Sequence, residues 1–213
     1  MASWLLRAQW TGREDSPVPD VAGRVAATLT AVAVAFPEAS SWTQDDRFGV
    51  DALTVETSGP IEELVAGVTS ATGVTRLHLQ SGGELPWLFD LAAGAEGPAT
   101  DQLTLHWSDE SALADSERFA QVLRAVVSIW EPEWASIADT DLAAEAGIFR
   151  RGIPMIGWLT YVRGMVTGAD GVDIDLVPFE RGTLLQAPVS PAELSPVHIC
   201  AAAALVGIMP EIS

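Results

Sequence analysis

The stretch LTLHWSDESALADSERFAQVLRAVVSIW, residues 103–130, changes its hydrophobic period part-way along. At its start Leu103, Leu105 and Trp107 alternate with Thr104 and His106, the period of two that places apolar side chains on one face of a strand. Past Asp115 the apolar residues are Phe119, Val122, Leu123, Val126, Ile129 and Trp130, spaced to form one stripe along a helix, which Pro132 ends. A strand followed closely by an amphipathic helix is the unit from which the rest of the fold is read.

Upstream, residues 3 to 10 read as an opening strand carrying Trp4 and Trp10, and Gly12 to Asp20 as a polar turn. Val21, Val25, Leu29, Val32 and Phe36 then share one helical face until Pro37 stops the helix. Gly59-Pro60 announces a second helix, with Glu62 and Glu63 against the positive end of its dipole, running to about Ala71. Val74 to Ser108 reads as short strands, among them Trp87-Leu88-Phe89.

Downstream, a short helix is expected over Leu142 to Phe149 and strands over Met155 to Val162 and Ile174 to Phe179. Ser190-Pro191-Ala192-Glu193 has capping-box spacing, and Ser195-Pro196 opens an alanine-rich terminal helix. Strands and helices mix without a regular β-α-β order. The expected class is therefore α+β, a single domain over residues 1–213 with an antiparallel or mixed sheet packed with helices.

Residues of the hydrophobic class make up 48% of the chain and charged ones 19%, the composition of a globular protein. Acidic residues outnumber basic ones 29 to 11, for a formal charge of -18, and all the basic residues are arginine. A field of that sign repels phosphate backbones and anionic lipid, so neither nucleic acid nor membrane is an expected partner. It attracts a basic partner and speeds its encounter, and it also keeps a protein soluble. The single cysteine, Cys200, fits a reducing compartment and reads as an inert thiol in an apolar run. The N-terminal residues lack the pattern of a signal peptide, and Val21 to Phe36 and Val197 to Met209 fall short of the ~20 apolar residues of a spanning helix. The expected location is the cytoplasm.

Nucleophilic catalysis needs a serine, cysteine or threonine beside a base, and only three histidines, His78, His106 and His198, are present to serve. None sits in a catalytic signature, and all three read as structural. No nucleophile elbow, phosphate-binding loop or zinc motif occurs. Asp173 and Asp175 point to the same side of a strand, as a cation site requires, but with too few ligands they read as a solvated strand edge. No catalytic residue, metal or cofactor is expected. The eight tryptophans are mostly core anchors, while Trp42 and Trp134, in acid-flanked and loop-like settings, are the candidates for an exposed contact surface.

Trp10-Thr11-Gly12-Arg13 with Ser16, an alanine-rich helix ending near Phe36-Pro37, and Trp42 beyond it resemble the opening of the polymorphic-toxin immunity family known as immunity protein fifty-two. Trp130-Glu131-Pro132-Glu133-Trp134 and Gly157-Trp158-Leu159-Thr160-Tyr161 resemble its second half. The resemblance implies an α+β protein that binds and blocks a cognate type VI secretion-type toxin, often a nuclease of restriction-endonuclease-like fold. On this reading Trp10, Arg13, Gly157, Trp158 and Tyr161 define the fold, Gly157 through close approach of a neighbouring backbone. The toxin contacts are expected from Trp42 with Asp45, Asp46 and Asp51, from Asp109 and Glu110, and from Trp134 with Asp139 and Asp141. Two alternatives stay open: an acidic, non-catalytic adaptor for another basic partner, and an enzyme with an unrecognised carboxylate or metal site.

Overall fold

The alternation that begins the 103–130 stretch recurs in strand after strand. The computed structural model describes residues 4–11, 18–44, 54–56, 61–70, 73–82, 87–94, 100–107, 115–149, 154–168 and 171–209. Its strands are β1 (Trp4–Thr11), β2 (Ser41–Gln44), β3 (Thr54–Glu56), β4 (Thr75–Ser81), β5 (Leu88–Ala93), β6 (Thr100–Trp107), β7 (Trp134–Asp139), β8 (Leu159–Arg163), β9 (Asp175–Phe179) and β10 (Gly182–Gln186). The helices are α1 (Val18–Ala35), α2 (Ile61–Val68), α3 (Ser116–Trp130), α4 (Thr140–Glu145) and α5 (Pro196–Leu205). Among the described residues the strands form one ten-stranded sheet in the order β3-β2-β4-β5-β6-β1-β7-β8-β10-β9. Every paired neighbour is antiparallel. The fold is a single-domain α+β structure whose sheet is wholly antiparallel.

One face of the sheet packs against helices. Leu6, Ala8 and Trp10 of β1, Leu103, Leu105 and Trp107 of β6, and Phe89 and Leu91 of β5 are all buried at alternate positions. The helix layer is itself cemented: α1 packs on α2 and α3, and α3 on β1 and β7. Thr28, buried in α1, accepts a hydrogen bond from Trp130 Nε1 at 2.8 Å and donates to the Arg24 carbonyl at 2.8 Å, so a polar pair is satisfied inside the α1–α3 seam. Trp10 stacks on Trp130 with centroids 5.0 Å apart, tying sheet to helix. Phe36, Trp87, Trp107 and Phe119 form an aromatic knot at the far end of the same seam, Trp107 and Phe119 stacked at 4.4 Å. The Phe119 stripe and the Leu103 alternation therefore meet face to face.

The second face divides in two. Over β7, β8 and β10 it is also covered, since Ser136, Ala138, Thr160 and Leu185 are buried there; α4 packs on β7 and α5 on α4. The chain crosses this region so closely that a Cβ on Gly157 would strike the Ile137 carbonyl oxygen and lie 2.7 Å from the Ala138 Cα. Over β4, β5, β6 and β1 the second face carries polar side chains instead, among them Arg76, His78, Asp90, Gln102, Thr104 and Arg7.

Several expectations change. Trp42 lies in β2 and Trp134 in β7, both in strands where loops were expected. Every residue of β7 is buried on both faces, so it lacks the alternation that reveals a half-exposed strand, and its glutamate flanks disguised it. β2 is four residues long, too short for a pattern to register. β10, which pairs with both β8 and β9, was also unexpected. The strand expected over Met155 to Val162 is confined to Leu159–Arg163, because the segment before it makes the close crossing at Gly157. The helix expected over Leu142 to Phe149 occupies Thr140–Glu145.

Candidate interaction surface

Of the expected contact residues that are described, Trp42, Trp134 and Asp139 are buried and Asp141 is exposed. Trp42 is 0% exposed and packs edge-on against Phe89 at 6.4 Å, so its expected place on a toxin-facing loop is overturned. Trp134 is 9% exposed and donates Nε1–H to the Met155 carbonyl at 2.8 Å, which makes it an anchor for the crossing segment rather than a surface aromatic. Asp139 is buried and accepts from the backbone N–H groups of Asp141 at 2.8 Å and Leu142 at 3.2 Å. It is the N-cap of α4, a role that uses the carboxylate within the fold. Asp141 is exposed. Asp45, Asp46, Asp51, Asp109, Glu110 and Arg13 lie outside the described residues. Trp10, Trp158 and Tyr161 are core residues; Trp158 Nε1 donates to the Val189 carbonyl at 2.7 Å, and the Tyr161 ring lies where a side chain on Gly182 would go.

What the sheet does bring together is a row of polar residues across its second face. The register sets His78 of β4 opposite Asp90 of β5, Asp90 opposite Thr104 of β6, Thr104 opposite Arg7 of β1, and Arg7 opposite Ser136 of β7. Cross-strand neighbours on one face hold their Cβ atoms roughly 5 Å apart, so these side chains form one continuous band. His78 Nδ1 and an Asp90 carboxylate oxygen are 2.5 Å apart, a short hydrogen bond between side chains 35% and 39% exposed. Arg7 Nη2 donates to Gln102 Oε1 at 2.7 Å. Exposure is greatest at Arg76 and Gln80 on the β4 side and least at Thr104 and Ser136.

The electrostatics follow that burial. Desolvation pushes the Arg7 guanidinium below its ordinary value. It also lowers His106, which lies beside this row, with Asp90 opposing the shift and Arg7 adding to it. In a chain with 29 acids and 11 arginines, the described band holds two arginines, Arg7 and Arg76, and one carboxylate, that of Asp90. Sequence reasoning read His78 and His106 singly as structural. The alternation Arg76, His78, Gln80 and Gln102, Thr104, His106 was the available signal that polar faces of two strands would line up. His198, the third histidine, is 2.9 Å from Ser195 Oγ across the start of α5 and has a capping role.

A second charged cluster lies where α3 ends. Glu131 and Glu180, the non-glycine residues with positive φ among those described, both line a small cleft with Ser128, Tyr161, Arg163 and Arg181. Ser128 Oγ donates to Glu180 at 2.7 Å, and the Arg163 guanidinium donates to the Glu131 carbonyl. Burial, the largest influence, raises the Tyr161 phenol above its usual value, while Arg163 opposes the shift. Charges of both signs balance in this cleft. Among the described residues no group of three or more histidine, cysteine, aspartate or glutamate side chains could hold a metal ion, and Asp173 and Asp175 are exposed.

No protein-family model matches the chain, and no curated protein matches it. Among solved structures, the fold is similar to that of the Pseudomonas aeruginosa T6SS protein PA0821, with a TM-score of 0.64. The alignment covers 99% of this chain and 77% of that one at 14% sequence identity. At that identity the likeness is one of fold. Among the described residues no helix is long and apolar enough to cross a membrane.

Proposed function

We propose that the chain is an immunity protein that binds a cognate toxin of a type VI secretion system and neutralises it stoichiometrically, without catalysis, in the cytoplasm of the producing cell. The observation that carries the reading is the fold it shares, along 99% of its length, with a T6SS protein. The tryptophan- and glycine-centred segments at Trp10, Trp130–Trp134 and Gly157–Tyr161 support it: they resemble the immunity protein fifty-two family, and their described residues pin strand to helix and strand to strand.

The formal charge of -18 suits a partner with a basic, phosphate-binding cleft, such as a nuclease of restriction-endonuclease-like fold. An acidic inhibitor meets such a cleft quickly and competes with its nucleic acid on the same electrostatic terms. Buried Trp42 and Trp134 take no part in that contact, and the exposed carboxylates supply its long-range field.

The test is co-expression with the C-terminal domain encoded by the adjacent reading frame. Rescue of growth, with the two chains co-purifying in a fixed ratio, is expected. Rescue at far below one immunity chain per toxin would overturn the non-catalytic reading, and absence of any complex with active toxin would overturn the proposal as a whole.

A further inference from the structure

In a chain this acidic, an arginine has carboxylates to choose from, and four of the described ones have taken one. Arg24 stands 2.9 Å from Asp20, Arg118 3.5 Å from Asp115, Arg124 2.9 Å from Glu117 and Arg181 4.0 Å from Glu131. Arg7 and Arg76 differ: among the described residues neither has a carboxylate within ion-pair distance. Both lie on the second face of the sheet, where the described side chains of β4, β5, β6 and β1 include one carboxylate, Asp90, hydrogen-bonded to His78 at 2.5 Å. Arg76 and Gln80 are exposed and His78, Asp90, Gln102 and Arg7 partly so, which leaves this face open to a partner. Depletion of acids and retention of arginine is the composition of an interface centre, and arginine is among the residues that carry most binding energy there.

The register sets Arg76 level with Ala92, Gln102 and Gln9 across the four strands, two residues along from Arg7. With strands ~4.8 Å apart and a rise of ~3.4 Å per residue, the two arginine backbones are about 16 Å apart. One carboxylate cannot meet both. Resting on the immunity role above, we propose that this face, over β4, β5, β6 and β1, is where the toxin docks, through a patch of the toxin that carries carboxylates for Arg76 and Arg7. Long-range attraction and local contact are then separate: the formal charge of -18 draws in a basic body, and the arginines take the acidic side chains of the patch that finally touches, since guanidinium and carboxylate pair through parallel N–H···O bonds.

The experiment is a calorimetric titration of the full chain with the toxin domain encoded by the adjacent reading frame, at fixed ionic strength. Arg76→Glu moves the formal charge from -18 to -20, so attraction of a basic body by the net field would leave binding no weaker. Docking through this face instead requires affinity to fall roughly tenfold or more, and Gln80→Glu, on the same exposed side of β4, to lower it as well. Both sites are exposed, so melting temperatures should stay close to that of the unsubstituted chain. Arg181→Glu makes the same charge change at the β9–β10 hairpin, on a side chain 75% exposed, and should leave affinity intact. A complex that forms with unchanged affinity in both Arg76→Glu and Gln80→Glu, or that Arg181→Glu weakens equally, would overturn this docking face and leave the immunity role standing. No complex with the unsubstituted chain would overturn the immunity role and the docking face with it.

Discussion

His106 links burial to pH. Its folded-state value lies below the ordinary 6.5 because burial penalises the imidazolium, so the unfolded chain takes up a proton that the folded chain resists. The stability contributed by the neutral ring is complete above 6.5 and is lost as pH falls from there toward the lower folded value. His106→Asn should therefore lose less stability than the wild type over that window in denaturant titrations at stepped pH. Curves that stay parallel would mean that His106 is not desolvated. Trp42→Ala should cost ~3–5 kcal/mol, as large aromatic truncations in cores do, in place of the binding defect an exposed tryptophan would give. An unchanged unfolding midpoint would contradict that. Gly157→Ala should cost about 3 kcal/mol or more, because the added methyl group meets backbone, which cannot rotate away. Full stability in that variant would refute the close crossing. Gly157 was legible as a close-approach glycine, whereas the burial of Trp42 was not. The first depends on the absence of a side chain, and the second on which strands come to flank a four-residue segment.

At the scale of elements, α3 shows how a boundary is set. Glu131 ends it in the left-handed region, φ 48, with its N–H donating to the Val127 carbonyl at 2.9 Å. A side chain there costs about 1 kcal/mol relative to glycine. Glu131→Gly should accordingly be more stable than Glu131→Ala by about 1 kcal/mol in chemical unfolding, both variants having lost the carboxylate. Equal stabilities would place the left-handed strain elsewhere. The β9–β10 hairpin carries the same strain at Glu180, φ 49, and Ser128 of α3 offsets part of it by donating to the carboxylate. β9 ends the sheet, and it is guarded against further pairing by exposed Asp175 and by Pro178, which offers no N–H. The long helices and the alternating strands were legible because each shows one face to solvent. β7 was not, since burial on both sides erases the pattern.

For the whole molecule the governing quantity is the formal charge of -18. Attraction to a basic partner is screened over a Debye length of ~8 Å at physiological ionic strength, so the association rate with the toxin partner proposed above should fall steeply as salt rises while dissociation changes less. Stopped-flow mixing across a salt series measures it, and an association rate independent of salt would remove electrostatic steering from the mechanism. The polar band on the second sheet face departs from this average, with two arginines and two histidines around one aspartate. Net charge averages over a surface, and the fold redistributes it.

The sequence by itself determined the α+β class, the stripes of α1 and α3, the alternation of β6, the capping of the last helix and the sign of the molecule's field. Each is a local or additive property, fixed by residues close along the chain or by a sum over all of them. Only the tertiary structure decided that β1 runs between β6 and β7, that Trp42 and Trp134 are interior, and that His78, Asp90, Thr104, Arg7 and Ser136 share one row. Those facts depend on the order and register of strands far apart in sequence, and a register shift of one residue would turn each of these side chains to the opposite face.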